Sequence, residues 1–101
     1  MCADLGTIQR FQKVVGSSTF FRELAFTGRF FGADEALKHG YVSYVTDTRE
    51  DCLSKSLELA RNIAAKSPVG MATLKQNIVY SRDHTVEEGL NHVLLLNMAM
   101  L

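Results

Sequence analysis

Proline is nearly absent from this chain, cysteine is scarce, and neither sign of charge prevails. The 101 residues include one proline, two cysteines, and 11 Lys and Arg against 11 Asp and Glu. Cancelled charge with no block of one sign excludes the electrostatic footprint of a nucleic-acid binder or a polybasic membrane patch. Cys2 and Cys52 lie far apart, at no metal-ligand spacing, and read as thiols in a reducing compartment rather than as a disulfide framework. No apolar run reaches the roughly 18 residues that suggest a membrane span. Met1-Cys2-Ala3-Asp4 lacks the basic-then-apolar order of a signal peptide, and Asn97-Met98-Ala99-Met100-Leu101 is not a peroxisomal tripeptide. No address is read from this chain.

What remains is an ordinary globular composition, 47% apolar and 22% charged, with enough Leu, Ile, Val and Phe for a core. The length suits one domain or part of one. Glycine does most of the punctuation, and there is no internal repeat. Ile8, Phe11 and Val15 share one face of a helix predicted over Leu5 to Val15, with Gly16 at its end. Ser17 or Ser18 caps a second helix that stops near Gly28. Arg29 to Gly32 reads as extended, and Ala33 to His39 as a short helix ended by Gly40.

Tyr41-Val42-Ser43-Tyr44-Val45 is β-branched and aromatic and is predicted to be the single strand. A lone strand needs a neighbour, which this chain does not visibly supply. Thr48 and Asp51 open a long helix with a stripe of Leu53, Leu57, Ala60 and Ala64, ending at Lys66. Ser67-Pro68 is a cap followed by proline at the first helical position, opening a helix to about Arg82. Thr85 and Glu88 make a capping box for a last helix, Val86 to Leu101. Val93-Leu94-Leu95-Leu96 covers every direction around that helix, so it must be buried on all sides. In so small a chain the cover has to come from a partner subunit or from further chain.

The residues alone assemble no convincing catalytic constellation. His39 stands at a helix end, where the dipole favours a cap; His84 lies in a turn; His92 has no Cys or carboxylate at ligand spacing. Asp34-Glu35 and Glu87-Glu88 fall in first turns of helices, which explains them without chemistry. Gly28 to Gly32 lacks the ending and the preceding strand of a phosphate loop. Phe20-Phe21 and Phe30-Phe31 read as core or interface, with a substrate-pocket role open to the second pair. Asp4 has two readings. It caps the helix that follows, or, held among apolar residues, its carboxyl titrates nearer neutrality and transfers protons.

The run Ala3-Asp4-Leu5-Gly6-Thr7-Ile8-Gln9-Arg10 resembles the Gly-Thr-x-Gln-Arg type segment of the crotonase (enoyl-CoA hydratase/isomerase) superfamily. Ala25-Phe26-Thr27-Gly28-Arg29, Ala33-Asp34-Glu35-Ala36-Leu37-Lys38-His39-Gly40-Tyr41-Val42 and Ile63-Ala64-Ala65-Lys66-Ser67-Pro68 look like later passages of the same superfamily, in order and at its spacing. Where typical hydratases carry a small residue, Asp4 resembles the aspartate of the Δ3,5-Δ2,4-dienoyl-CoA isomerases. Tyr80-Ser81-Arg82-Asp83-His84-Thr85-Val86-Glu87-Glu88-Gly89-Leu90-Asn91 is also very similar to that subfamily.

The resemblance implies a mainly α fold: the helical C-terminal region of a crotonase-type domain with one short strand. Residues 1–45 would end the catalytic core and 46–101 would form a helical trimerisation region. It implies conversion of 3,5-dienoyl-CoA to 2,4-dienoyl-CoA in fatty-acid β-oxidation, with Asp4 as one catalytic acid. Acyl-CoA would be the substrate, with no cofactor and no metal. A homotrimer or hexamer and a mitochondrial or peroxisomal setting are further implications. The family's oxyanion-hole segments and its other two acids lie upstream of the position matching Asp4, so the chain is expected to be truncated at both ends and inactive alone. A non-catalytic helical assembly module and a piece of an enoyl-CoA hydratase are the alternatives.

Overall fold

The structure, a computed structural model, describes residues 3–100. Six α-helices follow one another among them: α1 (Thr7–Val15), α2 (Ser18–Thr27), α3 (Ala33–Lys38), α4 (Arg49–Ala64), α5 (Pro68–Arg82) and α6 (Val86–Met100). The chain divides into two compact units, residues 1–52 and 53–101, and the division falls just after the first turn of α4.

In the first unit, α1 begins two residues later than its apolar pattern suggests. Gly6 sets the start: its φ of 94° lies where side chains are strained, and its N–H donates to Gln9 Oε1 at 2.8 Å. Ser17, not Ser18, caps α2, its Oγ accepting from the Phe20 N–H at 3.4 Å. Gly28, at φ 67°, ends α2 in the left-handed conformation. The helices pack through aromatic rings. Phe11 of α1 lies 5.7 Å from Phe21, 6.0 Å from Phe31 and 5.3 Å, stacked, from Tyr41. Phe20 meets Phe31 edge-on at 5.7 Å and stacks on the His39 imidazole at 3.8 Å. Val15, Phe20, Phe21 and Ala36 are buried at this centre.

The strand over Tyr41 to Val45 does not form, and no strand occurs among the described residues. Two physical reasons are visible. The N–H groups of Tyr41 and Val42 are both spent on the Ala36 carbonyl, at 2.8 and 3.3 Å, closing the end of α3. No second segment offers a ladder, and a strand without a partner leaves its polar backbone unsatisfied. Side-chain preference alone was a poor guide here: Tyr41 and Ser43 are bends.

The second unit is built on an α5–α6 hairpin. Ser67 Oγ accepts from the Gly70 N–H at 3.2 Å, with Pro68 opening α5 as the sequence implied. The capping box of α6 is closed in both directions: Glu88 N–H to Thr85 Oγ1 at 3.2 Å, and Thr85 N–H to Glu88 Oε1 at 3.0 Å. Gly89 is buried where α6 meets α5, and Tyr80 is sandwiched between two imidazoles, His84 at 3.6 Å and His92 at 3.9 Å. The sequence required α6 to be covered all round, yet within this chain Leu90, Leu95 and Met98 stand 66%, 66% and 75% exposed. Leu101, where the last helix was expected to end, lies outside the described residues.

Candidate functional site

Asp4 stands just before α1 and is exposed. Its main-chain carbonyl accepts from the N–H groups of Thr7 at 3.1 Å and Ile8 at 3.2 Å, and Gln9 answers the Gly6 N–H. The start of α1 is thus capped at Gly6 without the Asp4 carboxylate, which overturns the side-chain capping reading. The carboxylate accepts no hydrogen bond among the described residues. No backbone N–H of the described residues claims it.

A pocket of about 250 Å³ is bounded by α1, α2 and residues 28–31 and reaches Ala3, but Asp4 itself does not line it. Ala3 and Thr7 line it together with Phe11, Phe21, Leu24, Ala25, Phe30 and Phe31. The second phenylalanine pair therefore divides its duties. Phe31 packs in the aromatic cluster as well as lining the pocket, while Phe30 is 98% exposed.

Arg29, on the connection between α2 and α3, is an ion-pair hub that the sequence reading missed. Its Nε and Nη2 donate to Glu23 at 2.8 and 3.0 Å, and its Nη1 and Nη2 donate to Glu35, both at 2.9 Å. Nη1 also donates to the Phe30 carbonyl at 3.2 Å. The bonds from Arg29 hold both carboxyls below the ordinary carboxylate range, and the two carboxylates in turn raise the guanidinium. The available signal was a Glu six positions to either side of one Arg, a spacing that is no helix neighbour and becomes visible only once Gly28 turns the chain at the end of α2. Glu35, read as a helix-dipole residue, is chiefly this ion-pair partner.

The remaining candidates are held by their surroundings. His39 is the C-cap of α3 through its backbone N–H, bonded to the Glu35 carbonyl at 3.0 Å, while its imidazole stacks on Phe20. His84 Nδ1 lies 2.6 Å from the Tyr80 carbonyl and His92 Nδ1 lies 2.8 Å from Asn77 Oδ1. The Tyr80 carbonyl can only accept, so His84 donates from Nδ1 there. The Thr85 N–H, with the Thr85 hydroxyl, holds the Glu88 carboxyl below its usual range. Among the described residues no three His, Cys, Asp or Glu side chains gather where a metal ion could be held. Cys52 is exposed on α4, while Cys2 lies outside the described residues, so a pairing between them is not addressed. No helix among the described residues is long and apolar enough to cross a membrane.

The sequence, including the segment around Asp4, has counterparts in known proteins. The profile of the enoyl-CoA hydratase/isomerase family matches residues 1–100. The chain belongs to this family. It is 50% identical, over its whole length, to the mitochondrial Δ3,5-Δ2,4-dienoyl-CoA isomerase of Homo sapiens, covering 31% of that protein. A peroxisomal Δ3,5-Δ2,4-dienoyl-CoA isomerase of Arabidopsis thaliana is 38% identical over 98% of this chain and 35% of its own length. Carnitinyl-CoA dehydratase of Salmonella arizonae is 33% identical over 89% of this chain, again covering 34% of the relative. The chain thus spans about a third of the curated relatives it matches.

Proposed function

We propose that this chain is the C-terminal part of a Δ3,5-Δ2,4-dienoyl-CoA isomerase and supplies one of its proton-transferring acids, Asp4. The observation that carries the reading is an aspartate, left uncommitted by the local backbone, at the head of Gly6-Thr7-Ile8-Gln9-Arg10. The greater likeness to two isomerases than to a dehydratase supports it. In the reaction a 3,5-dienoyl thioester loses a proton from C2 and gains one at C6. The double bonds move to C2–C3 and C4–C5, and no electrons leave the substrate. Charge developing on the thioester oxygen needs preorganised N–H donors, and the carboxyl that moves a proton needs a pKa suited to the step. No cofactor is called for.

The parts attributed to the rest of the enzyme are the oxyanion donors, two further acids and most of the CoA site. Loss of each oxyanion donor costs roughly 10²–10³ in rate, so the chain alone is inactive. In this reading residues 1–45 complete the catalytic core and 46–101 form the assembly region of a homotrimer or hexamer in mitochondria or peroxisomes. The exposed Leu90, Leu95 and Met98 of α6 support a subunit contact. The reading is tested in the complete enzyme that carries this segment. Asp4→Asn is expected to abolish isomerisation of 3,5-dienoyl-CoA with the fold intact, and full activity in that variant overturns the assignment.

A second reading, a non-catalytic assembly module, rests on the same exposed face. Analytical ultracentrifugation tests the module, since a clean monomer argues against it; a self-associated species fits both readings, and Asp4→Asn in the complete enzyme then separates them.

A further inference from the structure

Two N–H groups stand where a carboxylate at position 4 would take them, and both are spent elsewhere. The Asp4 carbonyl accepts from Ile8, four residues on, which puts Asp4 in the register of an N-cap although α1 is regular only from Thr7. An aspartate in that register turns its carboxylate onto the N–H two or three residues ahead. Three ahead is Thr7, whose N–H bonds to the Asp4 carbonyl at 3.1 Å. Two ahead is Gly6, whose N–H bonds to Gln9 Oε1 at 2.8 Å. Gln9 reaches back from the first turn of α1 as the third residue of a capping box does. In doing so it occupies the one donor that the Asp4 main chain leaves to the carboxylate. The competition is real, because a carboxylate at a helix start gains from a charge-assisted bond and from the dipole together.

We infer that Gln9 is a positioning residue for the proton transfer: by holding the Gly6 N–H it keeps the Asp4 carboxylate off the start of α1 and free to meet the acyl chain. The inference rests on the catalytic reading of Asp4 given above and adds to it the residue that keeps the acid available. Without an acceptor at position 9, the Gly6 N–H is left to the carboxylate, which turns onto the helix and away from the substrate. Leucine at position 9 removes the acceptor and keeps a good helix former. Glutamate keeps the acceptor, since a carboxylate closes the same box. The two substitutions therefore separate the identity of the side chain from the bond it makes.

The test uses the complete enzyme that carries this segment, and it reads rate and geometry separately. Gln9→Leu is expected to lower kcat for 3,5-dienoyl-CoA roughly tenfold or more with KM held, and Gln9→Glu to keep most of the parent rate. In NMR spectra of enzyme with isotope-labelled glycine, the Gly6 amide proton of Gln9→Leu is expected downfield of its place in the Gln9→Leu, Asp4→Ala double variant, because the carboxylate now bonds it. A parent-like kcat in Gln9→Leu overturns the inference, as does a Gln9→Glu enzyme as slow as Gln9→Leu. So does a Gly6 amide that ignores Asp4 in the Gln9→Leu background, which would mark Gln9 as a helix cap and nothing more. If Gln9→Leu does not fold, a crystal structure of the unaltered enzyme decides. Gln9 on the Gly6 N–H, with the Asp4 carboxylate off it, supports the inference; any other acceptor on that N–H overturns it. Full activity in Asp4→Asn beside an Asp4-dependent Gly6 amide would remove the catalytic reading and leave the hold of Gln9 on the carboxylate standing.

Discussion

Arg29 and Glu35 face each other through two parallel N–H···O bonds, both 2.9 Å long, across the bend that joins α2 to α3. The same guanidinium grips Glu23 on α2, so one side chain ties both helices to the connection. Lysine is a point charge without a fork and cannot hold two carboxylates edge to edge. Arg29→Lys is therefore expected to lower the midpoint of urea unfolding although charge is conserved. An unchanged midpoint would show that the cluster is ornamental to the fold.

Acid should undo the same cluster. Glu23, Glu35 and Glu88 all have carboxyls depressed by hydrogen bonds, from Arg29 in the first two cases and from Thr85 in the third. A depressed folded value means that the unfolded chain takes up the proton first. The stabilisation is complete above the ordinary glutamate value of about 4.3 and is lost as pH falls through the lower folded values. Urea midpoints are expected to hold steady from neutrality to about pH 5 and to drop below about pH 4. Replacing both Glu23 and Glu35 by Gln should flatten that acid limb and lower the plateau.

Thr85 does two jobs in the α6 capping box, accepting from the Glu88 N–H and donating to the Glu88 carboxylate. Thr85→Ala is expected to cost about 1 kcal/mol in chemical denaturation, the usual worth of an N-cap hydroxyl. It should also raise the Glu88 carboxyl part of the way back, because the main-chain donor at residue 85 remains. Thr85→Ser should restore both properties. Carbon-detected titration of Glu88 reads the second effect independently of the first.

Gly89 permits the close meeting of α5 and α6: a Cβ there would come within 2.9 Å of Ser81 Oγ. Gly89→Ala is expected to be nearly neutral. Ala gains about 1 kcal/mol of helix propensity over Gly, and the serine hydroxyl can rotate aside. Gly89→Val adds two branches that cannot be cleared by a rotamer change, and it should destabilise the hairpin by roughly 1–3 kcal/mol. Thermal melts of the two variants, compared side by side, check the contrast.

Where the sequence carried local physics it was readable. Ser67-Pro68, Thr48 with Asp51, and Thr85 with Glu88 marked helix starts through side chains that bond within three residues, and each bond is present. Tyr41 to Val45 failed because a strand is defined by a partner, and no periodicity in one segment reports whether another segment comes alongside. Arg29 failed for a related reason: its partners are six residues away on both sides and meet only after a bend. Asp4 was legible as an unusual residue, and its freedom from the cap depended on Gln9 and on a carbonyl, neither of which the carboxylate's neighbours announce.

The imidazole–phenol–imidazole sandwich at Tyr80 makes the second unit optically self-reporting. The chain has no tryptophan and three tyrosines, and Tyr41 and Tyr44 belong to the first unit. Stacked rings lie on Tyr80 from both His84 and His92, and its emission is expected to change when His92 on α6 parts from α5. In a Tyr41→Phe, Tyr44→Phe background, the opening of one hairpin can be timed by its own light, without a dye.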